Sequence, residues 1–420
     1  MMLNSIGFFY KSITYSTVII LSIFLMLDSA LAVVPSTDSY IRVRVIRKQS
    51  QIRITGMGLR IVGDPVDLPK KKSWQVVRES GRWRVFEQDV KEKYREYKQE
   101  TLEIDGENIK VDNLNSTGRI RLVGLNNSEM DIVIELPMEE YLLGVLPSEM
   151  PVSWPIDALK AQVVASRTYA MAVKESRAGE YFHVDSTIEN QVFIWHRYKT
   201  LSSAWREKVD ESVKSTAGIY LINSAKEPIW TYFHSHCGGE TTMSTDVWGT
   251  YKTEPHRERN HVVKDSHCKM DKEADWQVTL SSQDLEKKIL TMPGYKKWQG
   301  YKIVKIMNSD SDSPRFDYLK LIFKKNEKMD SALISGQIFR KVMGYTKIKS
   351  TLFKVNHKKD SFVLIGQGHG HGVGMCQTGS RFMAMSGQTF LQILKRYYPD
   401  AEFSMPARLS QNETLSGSKL

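Results

Sequence analysis

Three stretches of the chain concentrate side chains that can do chemistry. The first, MEEYLLGVLPSEMPVSWP from Met138 to Pro155, sets Glu149 in a Pro147-Ser148-Glu149-Met150-Pro151 turn with Met150 and Trp154 beside it. A carboxylate packed among apolar side chains has its charged form disfavoured; its pKa rises, and it can hold a proton near neutral pH and deliver it as a general acid. The plainer reading is a glutamate at a helix start, favoured by the helix dipole. The second stretch, GQGHGHGVGMCQTGS from Gly366 to Ser380, packs five glycines and two histidines into the nine residues up to Gly374. Glycines that dense allow unusual backbone conformations or close approach to a ligand. The lysine of a Walker phosphate loop is absent. His369 and His371 suit metal ligation, proton shuttling or hydrogen bonding to a sugar; the structural alternative is a tight glycine turn before a helix at Arg381–Met385. The third stretch is YFHSHCGGETT, Tyr232 to Thr242, joined by DSHCK, Asp265 to Lys269. His234, Cys237, His267 and Cys268, with His236 as an alternative ligand, are enough for a closed tetrahedral zinc site. Such a zinc would be structural, since four protein ligands leave no position for water. A Cys237–Cys268 disulfide and free thiols stay open, and Cys376 makes the cysteine count odd.

The elements that must position these residues form a mixed pattern. From Tyr40 to Leu59 apolar and polar residues alternate, the period of half-buried strands, and Ile120–Val123 and Met130–Leu136 continue it. Between them, residues 69–100 are rich in Lys, Arg, Glu and aromatics, which reads as a hairpin with a charged extension, either a solvated insertion or a polyanion-binding patch. ALKAQVVASRTYAMA, Ala158 to Ala172, has strong helix formers and apolar residues every three to four positions, with Pro155 near its start. Lys160 and Arg167, seven apart, share one face of that helix. Beyond it the sequence predicts strands at Ile229–Phe233, Lys302–Met307 and Tyr318–Phe323, and helices at Ser281–Leu290, capped by Ser281 and Asp284, and Gln337–Met343. The fold class is α+β rather than a doubly wound sheet.

Composition bounds the function. With 420 residues, 41% hydrophobic and 25% charged, the chain is a folded globular protein, which excludes collagenous, disulfide-stapled and wholly disordered classes. Its one strongly apolar run, Val18–Leu27, follows Lys11 and precedes Ala30-Leu31-Ala32. That is the form of a cleaved export signal over residues 1–32, with an uncleaved anchor as the alternative. The net charge of +11 suits an anionic partner in the cell envelope at least as well as nucleic acid. No lipobox cysteine follows the signal, so a soluble periplasmic or extracytoplasmic protein is expected.

The run EEYLLGVLPSEMPVSWPIDALKAQVVASRTYAMA closely resembles the signature of the stage II sporulation protein D family. YFHSHCGGET, DVWG, ISGQIFRKVMG with KSTLFKV, and GHGHGVGMCQTGSRFMAMSGQTFLQILKRYYP resemble its later blocks in the same order, from roughly Arg42 to Tyr398. The resemblance implies a catalytic core over residues 126–400, after a β-rich region at 33–125 and before a polar tail at 401–420. It implies a lytic transglycosylase acting on peptidoglycan glycan strands, or an enhancer of a cell-wall amidase. On that basis Glu149 is the catalytic acid, Lys160, Gln162 and Arg167 lie in the cleft beside it, and His369, His371 and Gln377 line the substrate groove. The implied partners are glycan strands and a cell-wall amidase, not nucleic acid, with membrane contact only through a retained signal. No cofactor is required for the chemistry, a structural zinc aside. Glu240 and Cys376 depart from the family's common histidine and serine.

Overall fold

The computed structural model describes residues 40–64, 71–87, 94–112, 114–248, 261–271, 273–308 and 315–406. The stretch expected to be an export signal, residues 1–32, and most of the polar tail fall outside them. Ile41–Leu420 form one compact unit, of mixed α+β class with a large N-terminal sheet.

That sheet follows from the alternation. Strands β1 (Tyr40–Gln49), β2 (Gln51–Ile61), β3 (Lys71–Glu79), β4 (Arg82–Glu87), β5 (Tyr94–Tyr97), β6 (Thr101–Val111), β7 (Leu114–Asn115), β8 (Arg119–Gly124) and β9 (Met130–Pro137) join β10 (Val184–Asp185) in the order β10-β1-β9-β8-β6-β2-β3-β4-β5, with β7 on β6. Ile41, Val43, Ile52, Ile54, Leu102, Ile104, Ile120 and Leu122 are all buried, the every-second-residue burial of a sheet with one face on the core. The charged stretch belongs to this sheet. Trp74, Val76, Trp83 and Val85 are buried beneath β3 and β4, while Arg82 pairs with Glu96 and Arg84 with Glu79 on the other side.

β9 runs straight into helix α1 (Met138–Glu149), followed by α2 (Ile156–Ser176), whose N-cap is Pro155. α1 carries the chain through Pro147 to Glu149, so Glu149 closes a helix instead of standing in a turn. α2 lies between two hydrophobic cores: Leu159, Val163 and Val173 pack with the large sheet, and Ala161, Val164 and Ala165 pack with the C-terminal helices. After it come α3 (Trp195–Lys199), α4 (Ser203–Ser215), β11 (Tyr220–Ile222), β12 (Phe233–His234), α5 (Ser244–Trp248) and α6 (Ser266–Met270). The strand expected at Ile229–Phe233 is reduced to Phe233–His234. Ahead of it the chain bonds to α2 and to itself instead of to a strand: Thr231 donates its hydroxyl to the Ala165 carbonyl of α2 at 2.7 Å and its N–H to the Ile229 carbonyl at 3.0 Å.

A separate core, including Leu285, Ile303, Leu319, Leu321, Phe323, Phe339 and Phe362, holds β13 (Trp276–Ser281), α7 (Ser282–Ile289), β14 (Lys302–Asn308), β15 (Tyr318–Lys325), β16 (Lys328–Ser335), α8 (Gly336–Met343), β17 (Phe353–Lys358) and β18 (Ser361–Gly366). Ser281 caps α7 by accepting the Asp284 N–H at 3.1 Å. The chain ends in β19 (Met375–Cys376), α9 (Gln377–Met385), α10 (Phe390–Tyr397) and β20 (Glu402–Ser404). β19 pairs in parallel with β12, Phe233 opposite Met375 and His234 opposite Cys376.

Candidate active site and thiol cluster

Glu149 sits at the end of α1, partly buried, its Oε1 accepting the Val192 N–H at 2.5 Å. Burial raises its pKa to about 7, against the lowering effects of the Val192 N–H and the Arg197 charge. The strap that supplies Val192 is anchored on both sides. Gln191 accepts from the Tyr141 hydroxyl at 2.9 Å and donates to the Ser166 carbonyl at 3.2 Å, while Phe193 stacks on Tyr141 with ring centroids 5.4 Å apart. Gly144 makes room for it, since a Cβ there would lie 2.5 Å from the Phe193 ring. A carboxyl so held is a poised proton donor. Tyr141, Gln191, Val192 and Arg197 were not singled out by the sequence: Gln191 and Val192 lie in a polar-apolar loop with no motif of its own.

A line of contacts leads from this strap to the histidines. Asn190 donates to the Tyr169 hydroxyl at 3.1 Å. Tyr169 meets Trp230 and Tyr232 edge-on, each at 5.9 Å, and Tyr232 meets Trp248 at 4.7 Å. His371 lies 5.2 Å from the Trp248 ring and 5.6 Å from His234. Thus the strap beside Glu149, the YFHSHC segment and the glycine loop border one aromatic wall. Burial pushes His234 down to about 3 and holds His371 well below the usual imidazole range, so both rings are neutral at pH 7. His234 Nδ1 lies 3.0 Å from the Val373 carbonyl. His369 joins His236 through a backbone bridge, with N–H to carbonyl bonds of 2.9 and 2.8 Å.

The other expected site residues are occupied within the protein. Arg167 is 2% exposed and grips Glu139 of α1 through two bonds of 2.8 and 2.6 Å, with a third to the Ile219 carbonyl at 3.0 Å. Lys160 faces Glu211 of α4 at 3.6 Å. Gln162 donates to Ser166 at 3.0 Å and accepts from Gln377 at 3.1 Å, which ties α2 to α9.

The three cysteines converge in one fully buried cluster, unbonded to each other as disulfides. The ligand atoms of Cys237, Asp265, Cys268 and Cys376 lie within 4.8 Å of one another. Cys268 Sγ is 3.4 Å from Cys376 Sγ and 3.3 Å from His236 Nδ1. Hydrogen bonds from Cys237 and Cys376, then His236, hold the Cys268 thiol well below its usual range. Three soft sulfurs and a carboxylate at one buried point are a donor set that zinc fits, and the cluster could hold a metal ion. The set differs from the one expected from sequence. Cys237 and Cys268 are in it, His234 and His267 are not, and Asp265 and Cys376 stand in their places. His267 precedes Cys268 on α6, where successive side chains point about 100° apart, and His234 is turned to Val373. Asp265 also caps α6 by accepting the Cys268 N–H at 3.0 Å and accepts from Tyr397 at 2.8 Å. The signal for it was its place at the head of DSHCK.

Residues 126–222, from before α1 through the Glu149 strap to β11, match the family model described as Stage II sporulation protein. An uncharacterized protein of Brachyspira hyodysenteriae is 32% identical over 273 residues, 65% of this chain and 68% of the relative. Stage II sporulation protein D of Bacillus subtilis is 27% identical over 281 residues, 65% of this chain and 76% of the relative. The Amidase enhancer of Bacillus subtilis is 27% identical over 299 residues, which are 61% of this chain and 39% of that longer protein.

Proposed function

The chain belongs to the stage II sporulation protein D family, and on that premise we propose that it is an exported peptidoglycan lytic transglycosylase with Glu149 as its general acid and base. The family is associated with cell-wall hydrolysis during sporulation. The observation that carries the finer reading is the Glu149 carboxyl itself, raised to about 7 by burial and tethered to the Val192 N–H.

Glu149 protonates the glycosidic oxygen between N-acetylmuramic acid and N-acetylglucosamine as an oxocarbenium-like centre develops. As carboxylate it then takes the proton from the sugar's own 6-hydroxyl, which attacks and closes a 1,6-anhydro ring. Such a reaction needs one carboxylate, whereas hydrolysis by inversion needs a second to activate water. The neighbouring acids are engaged elsewhere: Glu139 with Arg167, Glu140 with Thr117, and Asp157 with the Phe390 N–H. Trp230 and Trp248, the partly exposed members of the aromatic wall, supply apolar ring faces on which sugars stack, backed by the buried Tyr169 and Tyr232, and His369, His371 and Gln377 are assigned to the groove beside them. Lys160, Gln162 and Arg167 act by holding α1, α2, α4 and α9 in register around the site. Zinc bound by Cys237, Cys268, Cys376 and Asp265 would brace the β12–β19 junction and supplies no step of the reaction.

Incubation with intact and with stem-peptide-free glycan strands, followed by mass spectrometry of the released fragments, tests the reading. Fragments ending in 1,6-anhydro-N-acetylmuramic acid, made by the wild type and not by Glu149→Gln, support it. The similarity to an amidase enhancer favours a second reading, a glycan-binding protein that stimulates an amidase. Binding of strands by both proteins with cleavage by neither would select it.

A further inference from the structure

The sheet β14–β15–β16 has a face that the proposed reaction does not use. Its inner side is core, with Ile303, Ile306, Leu319, Leu321, Phe323 and Ile334 buried. Alternation sends the intervening residues outward, and the register sets them in rows across the sheet: Lys302, Lys324 and Met329; Lys305, Ile322 and Ser331; Met307, Lys320 and Leu333. All four of these lysines are exposed. Between them stand large apolar side chains in water: Met307 is 39% exposed, Tyr318 42%, Met329 54% and Leu333 55%.

Three features separate this face from an ordinary solvated one. Lys302 and Lys324 are direct cross-strand partners on this face. Like charges opposite one another destabilise a sheet, so the arrangement is a cost that a bound anion would remove. Lysines that guard a sheet edge against aggregation belong on outer strands, but Lys320 and Lys324 are on the central strand β15. Finally, among the described residues the carboxylates bordering the face leave it positive. Asp330 stands opposite Phe323 and so falls on the inner side, where it accepts the Trp298 indole N–H at 2.9 Å, and Glu327 lies in the turn beyond the rows.

We propose that this face docks on the surface of an anionic phospholipid bilayer. The ammonium groups meet headgroup phosphates, and Met307, Tyr318, Met329 and Leu333 enter the boundary between headgroups and acyl chains. Charge complementarity alone would also suit a soluble polyanion. The apolar side chains favour lipid, since a polyanion leaves them in water and a bilayer takes them up.

The test uses the full chain with vesicles of phosphatidylglycerol and phosphatidylethanolamine, against vesicles of phosphatidylcholine. An apolar N-terminal segment binds both kinds alike and cancels from the ratio of the two affinities. Lysine acetylation followed by peptide mapping should show Lys302, Lys305, Lys320 and Lys324 protected by the anionic vesicles only, with Lys98, Lys110, Lys214 and Lys358 unchanged. Each lysine at an anionic surface multiplies binding about fivefold, so glutamine at all four should lower the affinity ratio roughly a hundredfold or more. Met307→Ser with Leu333→Ser should lower binding to anionic vesicles several-fold, and glutamine at the four control lysines should change little. Absence of selective protection in the wild type overturns the proposal, as does an equal loss in the control variant. Protection by soluble polyglutamate as strong as by vesicles, indifferent to Met307 and Leu333, would assign the face to a polyanion instead.

Discussion

Replacing Glu149 by Gln should make the protein more stable, and only at neutral and alkaline pH. A carboxyl raised from 4.5 to about 7 by burial carries a penalty for ionising inside the fold that the unfolded chain does not. Below the unfolded value both states are protonated and the penalty vanishes. It grows as pH rises from there to the folded value and is complete above it. The span corresponds to about 3 kcal/mol. At roughly 2 cal/mol/K of unfolding entropy per residue, a folded chain of about 380 residues has about 0.8 kcal/mol/K, so the full penalty is about 4 °C in Tm. The glutamine keeps an oxygen to accept the Val192 N–H, so the substitution removes the charge and little else. Paired thermal melts of the two proteins at about pH 4, 6 and 8 should show curves that nearly coincide at the lowest value and separate progressively, the variant melting higher. An offset independent of pH, or a variant that melts lower at about pH 8, would refute the reasoning.

Other consequences follow from the same geometry. If Glu149 must enter the reaction protonated, kcat/KM should fall as pH rises through about 7, and a profile flat to about pH 9 would remove it from that role. One zinc per chain, measured by elemental mass spectrometry of the purified protein, should drop to well under half in Cys376→Ser, and a chelator should lower the wild-type Tm without affecting that variant. Gly374 has φ +70° and an added Cβ would lie 2.0 Å from the Tyr232 carbonyl, so Gly374→Ala should cost about 2 kcal/mol or more in denaturant melts by prising β19 from β12. Arg167→Met should cost about 2–4 kcal/mol, because it leaves Glu139 and the Ile219 carbonyl without their partner.

How much of this was legible in the sequence depends on how local the cause is. α2 and the strands around Ile41, Ile54 and Ile120 follow from periodicity that neighbouring residues carry by themselves, and the structure has them. Glu149 was legible as a carboxylate among apolar side chains, but its hydrogen-bond partner Val192 is 43 residues away and its helix runs through a proline that reads as a turn signal. The junction that unites the second and third motifs rests on two strands of two residues each, 142 positions apart along the chain, too short for any period to reveal. For the same reason the thiol cluster could not be composed in advance. Cys237, Cys268 and Cys376 come from three segments, and spacing favoured the histidines next to them over the more distant third sulfur. In the stretch 69–100 the abundance of charge masked an alternation of Trp74, Val76, Trp83 and Val85 that makes it part of the large sheet.

Cleavage of stem-peptide-free glycan strands in water labelled with heavy oxygen bears most directly on the central claim. If the proton on Glu149 starts a reaction that the sugar's own 6-hydroxyl completes, every new N-acetylmuramic acid terminus is the 1,6-anhydro form without the label, and Glu149→Gln forms none. Reducing ends that carry the label, or undiminished cleavage by the glutamine variant, would contradict it.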